Sequence, residues 1–258
     1  MVTFNTWKCD GDYPRRLEAM CEQMQALDAD VFALQECFAT LDGSTDTARS
    51  LAHSLGMHLH TAPARRKQRL FQGKSVDSFS SLAVLTPSPI LSGDGFELPS
   101  SLADGGRAAQ ICSFEVSGRS VLLVNAHLSH LSHLDGGGML RAEQLRALLG
   151  RLVWMPRHDI ALICGDFNAS MDSPELARFL EPPWSLVDTC AQAGTGPKVT
   201  YRTPEGQGLK LDHILCAPSL SRVPVGYREA GVVLNTPASA SGVMPSDHAG
   251  IGVALGLG

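Results

Sequence analysis

Residues 159–168, with the sequence DIALICGDFN, combine an apolar run with two polar side chains at its end. A short, continuous apolar run bounded by turn-forming residues predicts a strand buried on both faces. The preceding segment 139–154, MLRAEQLRALLGRLVW, has the pattern of a helix, and a helix that leads into a buried strand is typical of α/β proteins. Asp166 and Asn168 then lie where the strand leaves the core, although Gly, Asp and Asn also form ordinary turns.

The rest of the chain repeats this alternation of apolar strands and amphipathic helices. The segment 13–27 carries apolar side chains at helical spacing, and 46–56 predicts a short helix that Gly56 closes in the left-handed conformation. Further strands are predicted at 1–5, 29–36, 57–62, 81–86, 108–116, 120–128, 209–216, 223–230 and 249–255. We therefore expect one α/β domain over residues 1–258, in which two sheets face each other and helices cover the outside.

The composition is that of a chain that folds around a large core. Of 258 residues, 44% are hydrophobic and 18% are charged, and the net charge is -5. Proteins that bind long nucleic acid mainly by neutralising phosphates usually have a basic excess, so this balance disfavours that mode of binding. A local basic patch can exist within a mildly acidic total, and ARRKQR at 64–69 is one candidate. The alternative interpretation of this segment is a solvated loop or sheet edge.

The cysteines and the start of the chain indicate a reducing compartment. There are 7 cysteines, an odd number, and they lack the CxxC spacing of zinc ribbons. Cys112 and Cys164 lie inside apolar runs, which is typical of reduced thiols packed in a core. No signal-peptide pattern follows Met1, and no apolar stretch reaches the roughly 20 residues that a membrane helix needs. We therefore expect a cytoplasmic protein that does not insert into a membrane.

Polar side chains follow the apolar strands at several places that are far apart in the sequence. They are Asn5, Gln35, Glu36, Asn125, His127, Asp166, Asn168, Asp212, His213, Asp247 and His248. Strand ends that point in one direction meet at one edge of a sheet, where ligand sites form. The set offers carboxylates, carboxamides and imidazoles, without an evident serine or cysteine nucleophile. Such oxygen ligands suit Mg²⁺ or Mn²⁺ rather than Zn²⁺, and a metal with a positioned water is the usual equipment for attacking a phosphate ester.

Six motifs, in their order along the chain, resemble the endonuclease/exonuclease/phosphatase superfamily. They are FNTW, ALQE, NAHL, GDFN, LDHI and PSDHAGI. Each string alone has an ordinary explanation, such as a strand that leaves the core or a loop cap. Their joint occurrence from Asn5 to His248 carries the resemblance. It implies a four-layer α/β sandwich with the site at one rim of the two sheets, and a phosphodiester hydrolase that depends on Mg²⁺ or Mn²⁺.

The resemblance implies roles for the residues on the metal side of the site. Glu36 is expected to bind the divalent cation, with Asn5 and Asp247 close to it. Asp166 is expected to orient the attacking water and help deprotonate it, while Asn168 holds a phosphate oxygen. Which group finally accepts the proton stays open at this point.

The resemblance places histidines on the opposite side of the phosphate. Asp212 is expected to hold His248 in the required tautomer, and His127 is expected to assist the leaving group, as in the deoxyribonuclease and sphingomyelinase branches. Arg107 resembles an arginine that contacts phosphate in deoxyribonuclease-like members, and its alternative is a surface arginine at a Gly-rich turn. Asp77 is a candidate partner for His127.

The segment VNAHLSHLSHLDGGG at 124–138 places three histidines at every third position. His127 lies at the predicted strand end, whereas His130 and His133 follow it in a polar segment. We expect the latter two at the surface or at the edge of the substrate, without a role in metal binding.

The substrate is the least determined part of the sequence-based prediction. The chain lacks the long aromatic hairpin of secreted sphingomyelinases and the lysine-rich signature expected for inositol phosphates. We expect nucleic acid as the phosphodiester substrate and a monomer as the family default. One alternative is an enzyme of the same fold that acts on a phospholipid headgroup or a small phosphorylated molecule, as sphingomyelinases, inositol phosphatases or tyrosyl-DNA phosphodiesterases do. The other is an inactive binding module.

Overall fold

The computed structural model describes residues 1–194 and 199–257. Its strands in chain order are β1 Val2–Asn5, β2 Phe32–Thr40, β3 His58–Phe71, β4 Lys74–Thr86, β5 Ile90–Leu98, β6 Arg107–Val116, β7 Arg119–His127, β8 Ile160–Asp166, β9 Val187–Asp188, β10 Tyr201–Arg202, β11 Gly208–Leu209, β12 Asp212–Cys216, β13 Val225–Val233 and β14 Gly250–Leu257. The helices are α1 Tyr13–Leu27, α2 Thr47–Leu55, α3 Gly137–Leu152, α4 Pro174–Ala177 and α5 Thr189–Gln192, and a 3₁₀ turn covers Pro218–Leu220.

Two mixed six-stranded sheets face each other. The strand order is β13-β14-β1-β2-β4-β3 in the first sheet and β5-β6-β7-β8-β12-β9 in the second, while β10 and β11 form a separate ribbon. Each sheet has a parallel pair, β1 with β2 and β7 with β8, and the remaining pairs are antiparallel. Helix α1 connects the first parallel pair and α3 the second, since parallel strands need a crossover connection.

Side-chain alternation along β1 separates the outer layer of the first sheet from its inner face. Val2 and Phe4 pack with residues of the two covering helices, among them Met20 of α1 and Leu51 of α2. Asn5, at the opposite parity, points toward the second sheet and bonds to it. Successive side chains of a strand point to opposite faces, so this short strand contributes both to the helix-covered layer and to the space between the sheets.

The second sheet is built in the same way. Leu122 and Val124 of β7 pack with Leu145 and Leu148 of α3. The intervening residue Leu123 belongs to the core between the sheets, which also contains, from both sheets, Ala33, Val84, Cys164, Ile214 and Ile251. The order of layers is therefore helix, sheet, sheet, helix, which is the four-layer sandwich that the sequence predicts.

A buried amide pair joins the two sheets next to the rim where the polar strand ends meet. Gln35 Nε2 donates to Asn125 Oδ1 at 2.8 Å, and Asn125 Nδ2 donates to the main-chain oxygens of Leu34 and Ala83 at 2.9 and 3.1 Å. Both amides are fully buried, and buried polar groups stabilise a fold only when they are hydrogen-bonded. This pair of amides therefore fixes the position of one sheet relative to the other at the rim.

The elements agree with the sequence-based prediction at most positions and differ in two. Gly56 ends α2 with φ 66°, as expected. The predicted strands at 57–62 and 81–86 are parts of a long hairpin, so ARRKQR lies in an edge strand rather than a loop. Strand β5 was not predicted, because Gly93 and Gly95 weaken its strand pattern. These glycines are required there, since a Cβ at Gly95 would lie 2.6 Å from the Cβ of Ala62 in the facing sheet.

The cysteines are free thiols, and six of them are buried. Within the described residues, no helix has both the length and the apolar character needed to cross a bilayer.

Candidate active site

Asp166, the last residue of β8, is the residue around which the polar strand ends converge. Its Oδ2 accepts a hydrogen bond from Asn5 Nδ2 of the other sheet at 3.0 Å. The Nε2 atoms of His127 and His248 lie 3.5 and 3.8 Å from the same oxygen. Four residues that are widely separated in the sequence therefore meet at one rim of the sandwich.

The turn after β8 fixes the second oxygen of Asp166. Asn168 has φ 52°, and its backbone N–H donates to Asp166 Oδ1 at 2.9 Å, while its side-chain Nδ2 donates to Leu128 O at 3.1 Å. Gly165 has φ 139°, and a Cβ there would overlap the carbonyl oxygen of Ala126 in β7. Only glycine allows this close approach of the two parallel strands.

His248 lies between two carboxylates. Its Nδ1 is 2.9 Å from Asp212 Oδ2, and the ring of Tyr201 covers it with the ring centroids 4.9 Å apart. Burial lowers the pKa of His248, but Asp212 and Asp166 outweigh burial and raise it to about 10. Burial raises the pKa of Asp166, and Asp212 raises it further against the opposing effect of His248. His248 is therefore an imidazolium at neutral pH.

His127 is in the opposite charge state. Burial lowers its pKa well below the usual range, and the cations of Arg107, Lys8 and His248 lower it further. The site thus holds a neutral imidazole and a charged imidazolium on two sides of Asp166.

Glu36 and Asp247 provide carboxylates on the flank formed by the first sheet. Glu36 has φ 58° at an irregularity in the pairing of β2 with β4, and Lys8 Nζ lies 2.8 Å from its Oε2. Burial raises the pKa of Asp247, and Glu36 is among the nearby charges that raise it further. The hydroxyl of Ser246 donates to Asn5 O at 2.7 Å and so connects this flank to β1.

Two groups of atoms could hold a metal ion. Glu36 and Asp247 offer hard carboxylate oxygens whose negative charges act on each other, and the ammonium of Lys8 shows that positive charge is stabilised beside Glu36. A tighter group, with ligand atoms within 4.8 Å of one another, consists of Asp166, Asp212 and His248. In this second group the imidazole Nδ1 is already bonded to a carboxylate. An ion on either nitrogen would have to displace a proton from His248, and hard divalent cations prefer oxygen ligands, so the carboxylate pair suits such a cation better.

Arg16 of α1 is an organising residue that the sequence analysis missed. Its side chain is buried, and it donates five hydrogen bonds of 2.9–3.0 Å, all to main-chain oxygens. The acceptors are the carbonyl groups of Thr6, Trp7, Lys8, Asp10 and Pro245. Arg16 therefore ties the loop after Asn5 to the segment before Asp247. The available signal was its spacing, because it lies four residues before Met20 on the apolar face of the helix.

Arg107 is buried at the start of β6, so the alternative of a surface arginine is wrong. Its Nε and Nη2 donate to Asp104 Oδ1 at 3.1 and 2.9 Å. His130 contacts both groups, with Nδ1 3.0 Å from the same carboxylate oxygen. His130 is 54% exposed and His133 63% exposed, and the latter lies 3.4 Å from Glu175 Oε1. The structure thus places both at the surface, with His130 beside the site.

The suggested pairing of Asp77 with His127 is wrong. Asp77 is exposed on the β3–β4 hairpin, where it pairs in register with Gln68. The carboxylate that lies near His127 is that of Asp166.

Comparison with known proteins gives one family and a common fold. Residues 2–248 match the sequence profile of the Endonuclease/Exonuclease/phosphatase family, and no curated protein matches the sequence significantly. The structure is similar to D. rerio TDP2 complexed with single strand DNA product, at 18% identity and a TM-score of 0.77, over 99% of this chain and 97% of that one. It is also similar to the endonuclease/exonuclease/phosphatase from Bacteroides vulgatus, at 18% sequence identity and a TM-score of 0.73, over 100% of this chain and 98% of that one. The corresponding values for the endonuclease/exonuclease/phosphatase from Beutenbergia cavernae DSM 12333 are 22% identity and a TM-score of 0.72, over 100% of this chain and 71% of that one. The predicted resemblance and the predicted sandwich are confirmed.

Proposed function

Because this chain belongs to the endonuclease/exonuclease/phosphatase family, whose members hydrolyse phosphoester bonds, we propose that it is a phosphodiesterase that requires Mg²⁺ or Mn²⁺ and acts on nucleic acid. The convergence of His127 and His248 on the buried Asp166 carries this proposal. The nucleic-acid substrate is supported by the structural similarity to TDP2 complexed with single strand DNA product. Both sheets of the chain contribute to one site, which supports a single catalytic domain, and we propose that this domain acts as a monomer, the default in the family.

Asp166 is proposed to position the attacking water and to accept its proton. Its raised pKa makes it a stronger base than an ordinary aspartate, and hydrogen bonds from Asn5 and Asn168 hold both of its oxygens in place. Asn168 keeps its side chain at the same turn, from which it is proposed to hold a phosphate oxygen.

The two histidines are proposed to have different tasks because they differ in charge. His248, kept as an imidazolium by Asp212, neutralises charge that builds up on the phosphate oxygens. His127 stays neutral and offers an N–H to the leaving oxygen. Arg107 adds a fixed positive charge on the same side, since Asp104 holds its guanidinium in one orientation.

Glu36 and Asp247, with Asn5 beside them, are proposed to hold the divalent cation. A bound cation supplies charge neutralisation at the phosphate and lowers the pKa of a nearby water. The remaining work falls to the side chains described above, which bind the ester, accept the proton of the attacking water and stabilise the leaving oxygen by a hydrogen bond.

The experiment is a substrate panel with the purified protein. Plasmid DNA, single-stranded RNA, bis-p-nitrophenyl phosphate, sphingomyelin and inositol phosphates are each incubated with Mg²⁺, Mn²⁺ or chelator. We expect cleavage of nucleic acid and of the small diester with either metal and none with chelator. Turnover confined to a lipid or a small phosphate would replace the substrate proposal with the corresponding alternative. Loss of turnover on every ester would leave only the inactive binding module.

A further inference from the structure

The β3–β4 hairpin carries a row of cations at one edge of the first sheet. Its outer part contains Arg65, Arg66, Lys67 and Arg69. A pairing irregularity lies between Pro63 and Arg65, and beyond it the pairing with β4 is regular. Alternate residues of a strand share a face, so Arg65, Lys67 and Arg69 lie on one side of the hairpin, about 7 Å apart from one to the next.

The inner end of this row contacts the loop that carries Arg107. A Cβ at Gly105 would lie 2.6 Å from Cζ of Arg65, and a Cβ at Gly106 would lie 2.8 Å from Ala64 O. The two glycines therefore allow the guanidinium and the backbone of the hairpin to rest directly on this loop. Since Arg107 follows these glycines immediately, the hairpin cations continue into the wall of the catalytic site.

Arg69 extends the row on the same side. Its Nη1 donates to Ser78 Oγ at 2.8 Å, which holds the guanidinium in place. Burial lowers the pKa of Arg69, whereas Cys9, Glu36 and Asp10 raise it and Arg65 lowers it. By the alternation of side chains along β3, Arg69 lies on the same side of the hairpin as Arg65, whose guanidinium contacts the loop at Gly105. We call Arg69, Lys67, Arg65 and Arg107 the cationic track.

Within the described residues, the cations in the outer part of the hairpin form no direct ion pair with a carboxylate, although Glu36 and Asp10 act on Arg69 from a longer distance. Among residues 1–194 and 199–257, lysine and arginine side chains form ion pairs with carboxylates at Lys8, Arg15, Arg49, Arg107, Arg141, Arg151 and Lys210. The four hairpin cations have no such partner in this part of the chain. The chain as a whole has a net charge of -5, so this surface is a local exception beside the catalytic site.

We propose that the cationic track binds the sugar–phosphate backbone of a nucleic-acid strand outside the catalytic site and guides it toward Asp166. This rests on the proposed function, because the track is useful only if the scissile phosphate belongs to a long strand. A membrane is the poorer occupant. The exposed apolar side chain of the hairpin, Leu70, lies near its tip, whereas the cations continue inward along Arg65 to the site. Contacts with phosphates alone make this binding independent of base sequence.

The test measures binding without catalysis. The anisotropy of a fluorescein-labelled 12-nucleotide single strand is titrated with protein in chelator, at several salt concentrations. The variant Arg65→Gln/Arg69→Gln is compared with Arg222→Gln/Arg228→Gln, which removes the same charge at and before β13, the opposite edge strand of the same sheet. A third variant, Arg65→Gln/Lys67→Gln, leaves the bond from Arg69 to Ser78 intact in case the first variant fails to fold.

We expect both hairpin variants to bind the strand at least about tenfold more weakly, and the salt dependence of log K to become shallower by about 1.4, or roughly 0.7 for each lost phosphate contact. The opposite-edge variant should bind as the unchanged protein does. Equal binding by hairpin and opposite-edge variants would overturn the proposal. So would vesicles of phosphatidylserine that bind more tightly than the strand and lose affinity in the same variants. Failure of the proposed function appears separately, as absence of hydrolysis by the unchanged protein in the substrate panel.

Discussion

The two parallel strand pairs of the molecule, β1–α1–β2 and β7–α3–β8, are built alike but reach the site with different chemistry. In each unit a buried arginine on the crossover helix holds the loop that follows the first strand. Arg16 of α1 binds the loop after β1. Arg141 of α3 binds the loop after β7, through Ser129 O at 3.1 Å and Leu131 O at 2.8 Å. The first unit brings Asn5 and Glu36 to the rim, and the second brings His127 and Asp166.

The difference between the units lies in how each arginine is compensated. Arg16 gives all five of its hydrogen bonds to main-chain carbonyl groups. Arg141 divides its bonds between carbonyl groups and the carboxylate of Glu175, whose Oε1 lies 3.0 Å from Nε and 2.7 Å from Nη2. The charge of Arg16 is therefore stabilised by the dipoles of main-chain carbonyl groups, next to the flank that carries Glu36 and Asp247. Arg141 belongs instead to an ion pair that can be removed as a unit.

The largest expected effect separates the chemical roles of the two units. We expect Asp166→Asn to lower kcat by about 10³-fold or more, because it removes the base of the second unit, while the affinity for Mn²⁺ changes little. The measurement is steady-state hydrolysis of bis-p-nitrophenyl phosphate together with calorimetric titration of Mn²⁺. Asp159→Asn is the control, since this residue adjoins the other end of β8 and accepts bonds from Ser120. Full activity of Asp166→Asn would remove Asp166 from the mechanism.

The next largest effect tests whether the buried guanidinium groups of Arg141 and Arg16 differ because only the first has a carboxylate partner. Arg141→Met should destabilise the protein by about 3–5 kcal/mol, because the buried Glu175 carboxylate loses its cation. The double variant Arg141→Met/Glu175→Gln should recover much of this loss, since both charges are removed together. Urea unfolding of the two variants gives the comparison.

Arg16 should behave differently, because no second substitution can remove its main-chain acceptors. Arg16→Met should therefore stay destabilised, and Arg16→Lys should recover only part of the stability, with at most three donors for five carbonyl groups. Amide hydrogen exchange in the segments 6–10 and 244–248 should rise in Arg16→Lys. Unchanged exchange there would show that Arg16 does not hold these two segments together.

A smaller effect contrasts the two faces of β12, the strand beside β8. Asp212 points to the site, whereas His213 points to the other face, where Nε2 bonds to Ala169 O at 2.9 Å. Burial lowers the pKa of His213 to about 4. Since the folded pKa lies below the unfolded value near 6.5, the neutral ring contributes stability above pH 6.5. This contribution is lost as the pH falls toward 4.

The difference between about 4 and 6.5 corresponds to roughly 3 kcal/mol of unfolding free energy. His213→Gln should therefore show a flatter decline in unfolding free energy between pH 6.5 and 4 than the unchanged protein. Urea unfolding at intervals of half a pH unit measures it. Parallel curves for the two proteins would show that His213 does not titrate in this range.

The sequence predicted the rim of the site better than it predicted what supports the rim. Strand ends could be recognised, because an apolar run that stops at Asp166 or Asn5 marks where a buried strand leaves the core, and several such ends occur together in one chain. The supporting arginines were missed because helix patterns count apolar positions. Arg16 and Arg141 both lie four residues before a buried apolar side chain on the inner face of their helices. A guanidinium at such a position indicates a buried group whose partners are distant in the sequence.

Two features of the fold could not be predicted for related reasons. The β3–β4 hairpin extends far beyond its apolar part, and its outer strand is polar on both faces, so no alternation marks it. The glycines of β5 are explained only by the opposite sheet, whose side chains leave no room for a Cβ. The roles of the site residues stay predictions until the variants are measured.

The smallest expected effect tests the carboxylate flank of the first unit. Glu36→Gln should weaken Mn²⁺ binding by about 100-fold, because a carboxylate that binds the ion directly loses its charge. Loss of a residue that only supports a metal ligand weakens binding by about 10- to 100-fold, so loss of a direct ligand should reach the upper end of this range. Lys8 loses its ion partner in the same variant. The activity of Glu36→Gln should fall together with its Mn²⁺ affinity at low metal concentration and recover partly at high metal concentration. The activity of Asp166→Asn should not recover when more metal is added. Glu115→Gln, on an exposed residue near the end of β6 away from Arg107, is the control. If Glu36→Gln kept its Mn²⁺ affinity while Asp166→Asn lost it, the metal would belong to the group of Asp166, Asp212 and His248, and the two units would exchange roles.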